Sequence, residues 1–349
     1  MVARRAVKAT EASPRKRVVA SKEGANYFAS GTDKDLEFVS TGCCILDSVL
    51  GGGYVLGRIA NLVGDKSTGK TLLAIEASAN FALAYPDGII RYAEAEAAFD
   101  ERYAEALGMP IDRVQFAKNI LTVEDVFEDI EKYLKEWEGK PCLYIIDSLD
   151  ALSDRAEQGR KIDEGSYNMN KQKKLGEMFR RLVQKVEESR MLILIISQIR
   201  DKIGVSFGET KTRSGGKSLD FYASQVFWLS EVEKMKRTVD KVERITGVRV
   251  KARCKKNKIG LPFRECEFPV LFGYGIDDLT ASVEWLLDIK REELLKDLGL
   301  SAAGYKIRIS SIRNKGGLEA QKLRKQLQEI VINEWRRIET SFLPQSKKY

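Results

Sequence analysis

Between about residue 36 and residue 275, short unbroken apolar runs alternate with stretches whose apolar residues recur every three or four positions. The runs at 59–63, 89–92, 142–146, 191–196 and 225–229 are predicted as strands. The periodic stretches are predicted as helices. In 123–135 the apolar stripe is Val123, Val126, Phe127, Ile130 and Leu134. In 168–188 it is Leu175, Phe179, Leu182, Val183 and Val186. Strands that are apolar throughout must be covered on both faces. Alternation with helices then predicts an α/β fold built on a mostly parallel twisted sheet with helices on both faces. Runs at 248–254 and 265–271 extend that sheet, with antiparallel pairing as the expectation.

The pattern changes at both ends. Residues 1–35 form a basic N-terminal segment, in which 1–26 have little periodicity and read as largely disordered or only weakly helical. Residues 36–275 are the core. Residues 276–349 are predicted as a small basic α+β domain, with helical patterns at 284–298 and 318–340 flanking an extended stretch at 305–309. Net charge is +8, and the ends carry the excess: seven basic residues against one acid in 1–22, and eleven against four in 301–349. Basic ends on a globular core suggest a polyanionic partner, most simply nucleic acid, although charge alone also fits solvated tails. There is no histidine, which removes histidine-based catalytic triads. Five scattered cysteines lack metal-ligand spacing and read as core residues in a reducing compartment, the cytoplasm. No apolar run approaches the length of a membrane span.

The chemistry centres on Gly64-Asp65-Lys66-Ser67-Thr68-Gly69-Lys70-Thr71, which fits G-x-x-x-x-G-K-[ST] between a predicted strand and a predicted helix. Gly64 and Gly69 let the backbone wrap an anion, and successive N–H groups at the helix start hold phosphates. Lys70 reaches the β/γ-phosphates of a nucleoside triphosphate, and Thr71 takes a place on Mg²⁺. Asp147 ends the 142–146 strand and is the expected second magnesium-side residue, largely through water. After the 89–92 strand, the first beyond the phosphate loop, Glu94 or Glu96 can act as the base that orients the attacking water, with Glu94 equally readable as a structural neighbour. Gln198, at the end of the 191–196 strand, can sense the γ-phosphate. The long loop 199–217 carries Arg200, Lys202, Lys211, Arg213 and Lys217, with Gly204, Gly208, Gly215 and Gly216, around Phe207. Mobility, cations and one aromatic together fit a single-stranded nucleic acid. Lys173 and Arg180 on the 168–188 helix complete the DNA-binding candidates.

These residues carry a family resemblance. Residues 36–280 resemble the bacterial RecA family of recombination ATPases. The match rests on Ser40-Thr41-Gly42 with Leu46-Asp47, on Ala95-Glu96 with Asp100 and Tyr103, on 198–208, and on Lys256-Asn257-Lys258-Ile259 with Pro262-Phe263. The resemblance implies ATP and Mg²⁺ as cofactors and a homo-oligomeric helical filament on single-stranded DNA. It also implies pairing and strand exchange with duplex DNA, with single-strand-binding or loader proteins as further partners. Residue by residue, it implies Glu96 as the catalytic glutamate, Asp100 and Tyr103 on the adenine side, and Gln198 as the γ-phosphate sensor. Lys256 and Lys258 would act on the neighbouring subunit's ATP. The resemblance also implies an oligomerisation element within residues 1–35, where Tyr27-Phe28-Ala29 is the candidate knob between subunits, with packing on its own core as the equal alternative.

The chain departs from the family at Glu94, at Ser197 and in a first loop about one residue longer around Gly159-Arg160-Lys161. It also carries the basic run Arg249, Lys251, Arg253 and Lys255, and its last residues are basic where bacterial members tend to be acidic. Autoinhibition by an acidic tail is therefore not expected. These departures mark a diverged copy, consistent with a phage-encoded one. The leading expectation is a DNA-dependent ATPase of recombination and repair. The rivals are a filament-forming mediator that uses ATP only as a switch, and a hexameric helicase on the same core.

Overall fold

Among the described residues, strands interspersed with helices run from residue 36 to residue 276. The computed structural model describes residues 36–117, 119–136, 139–159, 161, 169–201, 211–213, 215–344 and 346. A short antiparallel pair, β1 (Phe38–Val39) and β2 (Tyr54–Val55), brackets α1 (Cys44–Leu50). Then come β3 (Ile59–Gly64), α2 (Lys70–Ala84), β4 (Ile89–Glu94), α3 (Glu101–Ala106), β5 (Val114–Ala117), α4 (Val123–Glu136), β6 (Cys142–Asp147), α5 (Arg155–Gln158), α6 (Met169–Glu188) and β7 (Met191–Asp201). The short β8 (Lys211–Arg213) and α7 (Gly216–Tyr222) lead into a long hairpin of β9 (Gln225–Val239) and β10 (Val242–Asn257), followed by β11 (Glu265–Leu271) and β12 (Gly275–Ile276). Helices α8 (Asp278–Asp288), α9 (Tyr305–Lys315) and α10 (Gly317–Ser341) close the chain, with a 3-10 segment at Glu292–Leu298.

The main sheet runs β5-β4-β6-β7-β3-β9 in parallel, then β10, β11 and β12 antiparallel. Both faces are covered, which is why β3 and β6 are buried at every position. On β3, Ala60 and Leu62 join the cluster of α1, α2 and the C-terminal helices, whereas Ile59 and Val63 join that of α4 and α6. Each buried Leu or Ile adds about 1.5–3 kcal/mol. This mixed α/β sheet is the fold class the apolar pattern predicts. All five cysteines are buried and free, as their reading as core residues requires. No helix among the described residues is long and apolar enough to cross a membrane.

Two expectations need correction. Residues 305–309 are helical, so among the described residues the C-terminal part is helical and carries no strand beyond β12. Tyr305, Ile307 and Ile309 mimic a strand's period of two, but Ile307 is 79% exposed while Tyr305, Ile309 and Ile312 are buried. The i, i+4, i+7 stripe decides the element. The C-terminal helices also share the core's own apolar cluster: Leu323, Leu327 and Val331 pack with it, and the Cys44 N–H donates to Asp278 Oδ1 at 2.7 Å. Secondly, β9 and β10 run well past 225–229 and 248–254. Their tight turn, Asp240-Lys241, has positive φ at both residues, 49° and 65°, the geometry of a type I′ hairpin. Its sequence contains no glycine or asparagine to announce it.

Three carboxyl groups beneath this helical layer are held above the usual carboxylate range by burial. Asp47 and Glu76 are pushed up to about 7 and Asp278 to about 6. A carboxyl whose folded value exceeds its unfolded value binds more protons when folded, so its contribution to stability declines as pH rises between the two values. For Glu76 that window runs from about 4.5 to about 7. Glu76→Gln can still accept from the Ile276 N–H that Glu76 binds at 3.1 Å. The variant's thermal midpoint is expected to fall less steeply from pH 5 to 7.5 than that of the wild type. Parallel curves would contradict it.

Candidate functional site

The phosphate loop leaves the central strand β3 at its carboxyl end, flanked by β7 and β9. This is where open α/β sheets bind ligands. Gly64 admits no side chain, because a Cβ there would lie 2.4 Å from Thr68 Oγ1. Gly69 takes φ +83° as the residue preceding α2. Thr68 Oγ1 donates to the Asp65 carbonyl at 2.9 Å, and the Lys66 N–H donates to Asp65 Oδ1 at 2.8 Å. Ser67 adopts positive φ. Lys70 folds back over this loop, with Nζ donating to the Asp65 carbonyl at 2.6 Å. Burial lowers the Lys70 ammonium below the ordinary lysine value, while Asp147, Glu96, Asp65 and Asp150 pull it back up.

Thr71, in the first turn of α2, donates to Asp147 Oδ2 at 3.0 Å, and the Tyr92 hydroxyl donates to the same oxygen at 2.7 Å. Burial raises Asp147, the two hydrogen bonds oppose that, and Glu96 and Glu94 add to it. A hydroxyl and a carboxylate side by side at the phosphate loop fit Mg²⁺, which prefers hard oxygens, keeps several waters and shares itself with substrate phosphates. The structure thus brings Thr71 and Asp147 together.

It also separates the two glutamates. Glu94 accepts the Ala98 N–H at 3.0 Å and thereby closes its own turn. Glu96 Oε1 receives Gln198 Nε2 at 2.8 Å and also the Ser148 hydroxyl. Glu96, just past the carboxyl end of β4, and Gln198, within β7, therefore touch across β6. Asp100 and Tyr103 are brought together differently: Asp100 caps α3 by accepting the Tyr103 N–H at 3.1 Å, and Tyr103 is 40% exposed.

Lys256 and Lys258 are elsewhere. The Lys258 N–H donates to the Ser224 carbonyl, and the Ser224 N–H donates to the carbonyl of Ile59 at the opposite end of β3. Five residues of strand, roughly 16 Å, separate that level from Gly64. Lys256 donates to the Phe221 carbonyl at 2.8 Å and to that of Asp220. Burial, followed by repulsion from Lys258, lowers its ammonium to about 8.

Of the DNA-binding candidates, Lys202 and Phe207 lie outside the described residues, as does the side chain of Lys217. The 199–217 segment is not a continuous loop: β7 carries Ile199, Arg200 and Asp201, which pair antiparallel with Arg213, Thr212 and Lys211 of β8, and α7 begins at Gly216. Lys211 is exposed on β8. Arg213 is turned inward, its side chain 3% exposed and paired with Asp220, so this arrangement does not present it to an outside phosphate. Gly215 precedes α7 at φ +84° and Gly216 follows at +45°. A Cβ on Gly215 would press on Leu219 at 3.0 Å. Lys173 and Arg180 line an open groove of about 620 Å³ between α6 and α7, with Gln172, Gly176, Ser218 and Tyr222. Arg200 pairs with Asp150 at 3.1 Å. The sequence reading missed Tyr92, Ser148, Asp150 and Asp220. Tyr92, Ser148 and Asp150 act through partners about 50 positions away, while Asp220 pairs with Arg213 seven residues earlier; only Ser148, adjacent to Asp147, had a positional signal.

The family model of the RecA N-terminal domain matches residues 20–277. The chain belongs to the RecA family. It is 34% identical over 259 residues to the protein named Protein RecA of Nostoc punctiforme, a match covering 74% of this chain and 69% of that one. Similarity to the Protein RecA of Synechocystis sp. is 32% over 257 residues, covering 74% and 70%. For that of Streptomyces venezuelae it is 33% over 246 residues, covering 70% and 62%. The RecA-type match thus spans the sheet, the phosphate loop, Glu96, Gln198 and the Lys256–Lys258 segment. It stops at β12, before the helices in which this RecA-family chain departs from the sequence expectation.

Proposed function

We propose that this RecA-family protein is an ATPase stimulated by single-stranded DNA, on which it forms a helical filament that promotes homologous pairing and strand exchange. The observation that carries the reading is the position of Lys256 and Lys258. They lie at the amino-end edge of the parallel strands, while Lys70, Thr71, Glu96, Asp147 and Gln198 lie at the carboxyl ends. One protomer thus carries two half-sites on opposite sides, and head-to-tail stacking of copies would join them. A heterologous contact of that kind generates a helix or a ring.

In this reading the loop N–H groups between Gly64 and Thr71 and the Lys70 ammonium bind the triphosphate. Thr71 and Asp147 would hold Mg²⁺, largely through water, and the ion would supply positive charge to the phosphates. Glu96 orients the attacking water and takes its proton. Gln198 exchanges its bond to Glu96 for one to the γ-phosphate and carries that change along the end of β7 through Ile199 and Arg200. The neighbour's Lys256 and Lys258 supply positive charge to the phosphate oxygens.

Mixing tests the shared site. Lys256→Ala with Lys258→Ala is expected to abolish DNA-stimulated hydrolysis yet leave nucleotide binding by the isolated protomer intact. Adding Lys70→Ala protein should restore part of the activity, since some interfaces then carry both intact halves. Mixed filaments, seen by electron microscopy, that recover nothing at any ratio would overturn the shared site.

A further inference from the structure

Asp150 lies where three parts of the molecule meet, and no motif points to it. Its carboxylate is only 6% exposed. A charge so placed requires close partners. Oδ2 accepts the main-chain N–H of Gln198 at 2.7 Å, and Oδ1 accepts Nε of Arg200 at 3.1 Å. From the other side, Lys171 near the start of α6 donates to the carbonyls of Leu149 and Asp150 at 3.0 and 3.3 Å, holding the turn in place. Gln198 meanwhile reaches Glu96 through its side chain. One carboxylate therefore grips both the main chain of Gln198, the expected γ-phosphate sensor, and the guanidinium of Arg200, the first cation of the 199–217 segment, near the end of β7. Arg200 remains 57% exposed, within reach of an outside anion.

The geometry points to Asp150 as a positioning residue, the resident counter-ion that a DNA phosphate must displace from Arg200 before the loop engages. This rests on the reading of the protein as a single-stranded DNA-binding ATPase. The loop's first cation is already neutralised at home, so binding exchanges one ion pair for another. The exchange takes place two residues from the γ-phosphate sensor and on a carboxylate that also holds the sensor's main chain. Nucleotide state and DNA contact thus act on the same side chain.

Asp150→Asn keeps an acceptor for the Gln198 N–H and removes the charge. It is expected to bind a fluorescent oligothymidylate, in the presence of a non-hydrolysable ATP analogue, about two- to fivefold more tightly than wild type at low salt. That is the range set by an ion pair with one exposed partner. In an Arg200→Ala background the same change should have little effect. The Arg200→Ala variant alone should flatten the slope of log affinity against log salt by about one phosphate contact. Equal affinity of Asp150→Asn and wild type overturns the inference, and so does an equal gain with and without Arg200. If Asp150→Asn does not fold, Asp150→Ser, which also offers an acceptor, replaces it. Failure of both to fold would assign Asp150 to folding alone and overturn the inference. Wild-type protein that binds no single-stranded DNA would overturn the parent reading as well.

Discussion

Lys70→Ala is expected to reduce ATP turnover by a factor on the order of 10² to 10³, the scale on which removal of one preorganised charge or donor acts at a reacting centre. The ammonium lies over the phosphate loop and donates to the Asp65 carbonyl at 2.6 Å. Loop shape does not depend on it: Gly64, the left-handed Gly69 and the Thr68–Asp65 bond set that. Nor does Lys70 contribute to either apolar cluster. The circular dichroism spectrum should therefore match wild type. Turnover within twofold of wild type would remove the loop from its assigned role.

Glu96→Gln separates binding from chemistry. The amide keeps the size of the side chain and retains an oxygen for the Ser148 hydroxyl, but it cannot take a proton from water. Hydrolysis should slow by a factor on the order of 10² or more, as for loss of a general base. ATP binding should persist, and complexes with single-stranded DNA should be longer-lived. Glu94→Gln serves as the control. Glu94 accepts the Ala98 N–H, a bond that glutamine can also accept, so its turnover should stay within a few-fold of wild type. A single-turnover comparison of the two variants decides the assignment, and a large loss with Glu94→Gln alone would reverse it.

The legible and illegible parts of this chain divide by the range of the interactions that set them. The five apolar runs, the 123–135 and 168–188 helices and the antiparallel 248–254 and 265–271 strands all appear in place. Each is specified by its own side chains meeting a covered sheet. Residues 305–309 misled because two periods coexist there, and burial of Tyr305, Ile309 and Ile312 under the helical layer chose between them. The outer half of the β9–β10 hairpin gave no alternation to read, since Val232, Val239, Val242 and Ile245 are all exposed. Arg213 reads as a DNA contact by composition, and only Asp220, brought alongside by α7, turns it inward.

By itself the sequence determined the α/β class, the phosphate loop with Lys70 and Thr71, and membership of the RecA family, because these rest on local backbone geometry and contiguous residue patterns. Only the tertiary structure decided that Glu96, and not Glu94, meets Gln198, that Asp147 is shared by Thr71 and Tyr92, and that Asp150 holds Arg200. Only it set Lys256 and Lys258 at the far end of the sheet from Gly64. These relations join residues roughly 50 to 200 positions apart, and they exist only once strand order and register have been chosen. That choice is made by packing summed over the whole core, so no single segment encodes it.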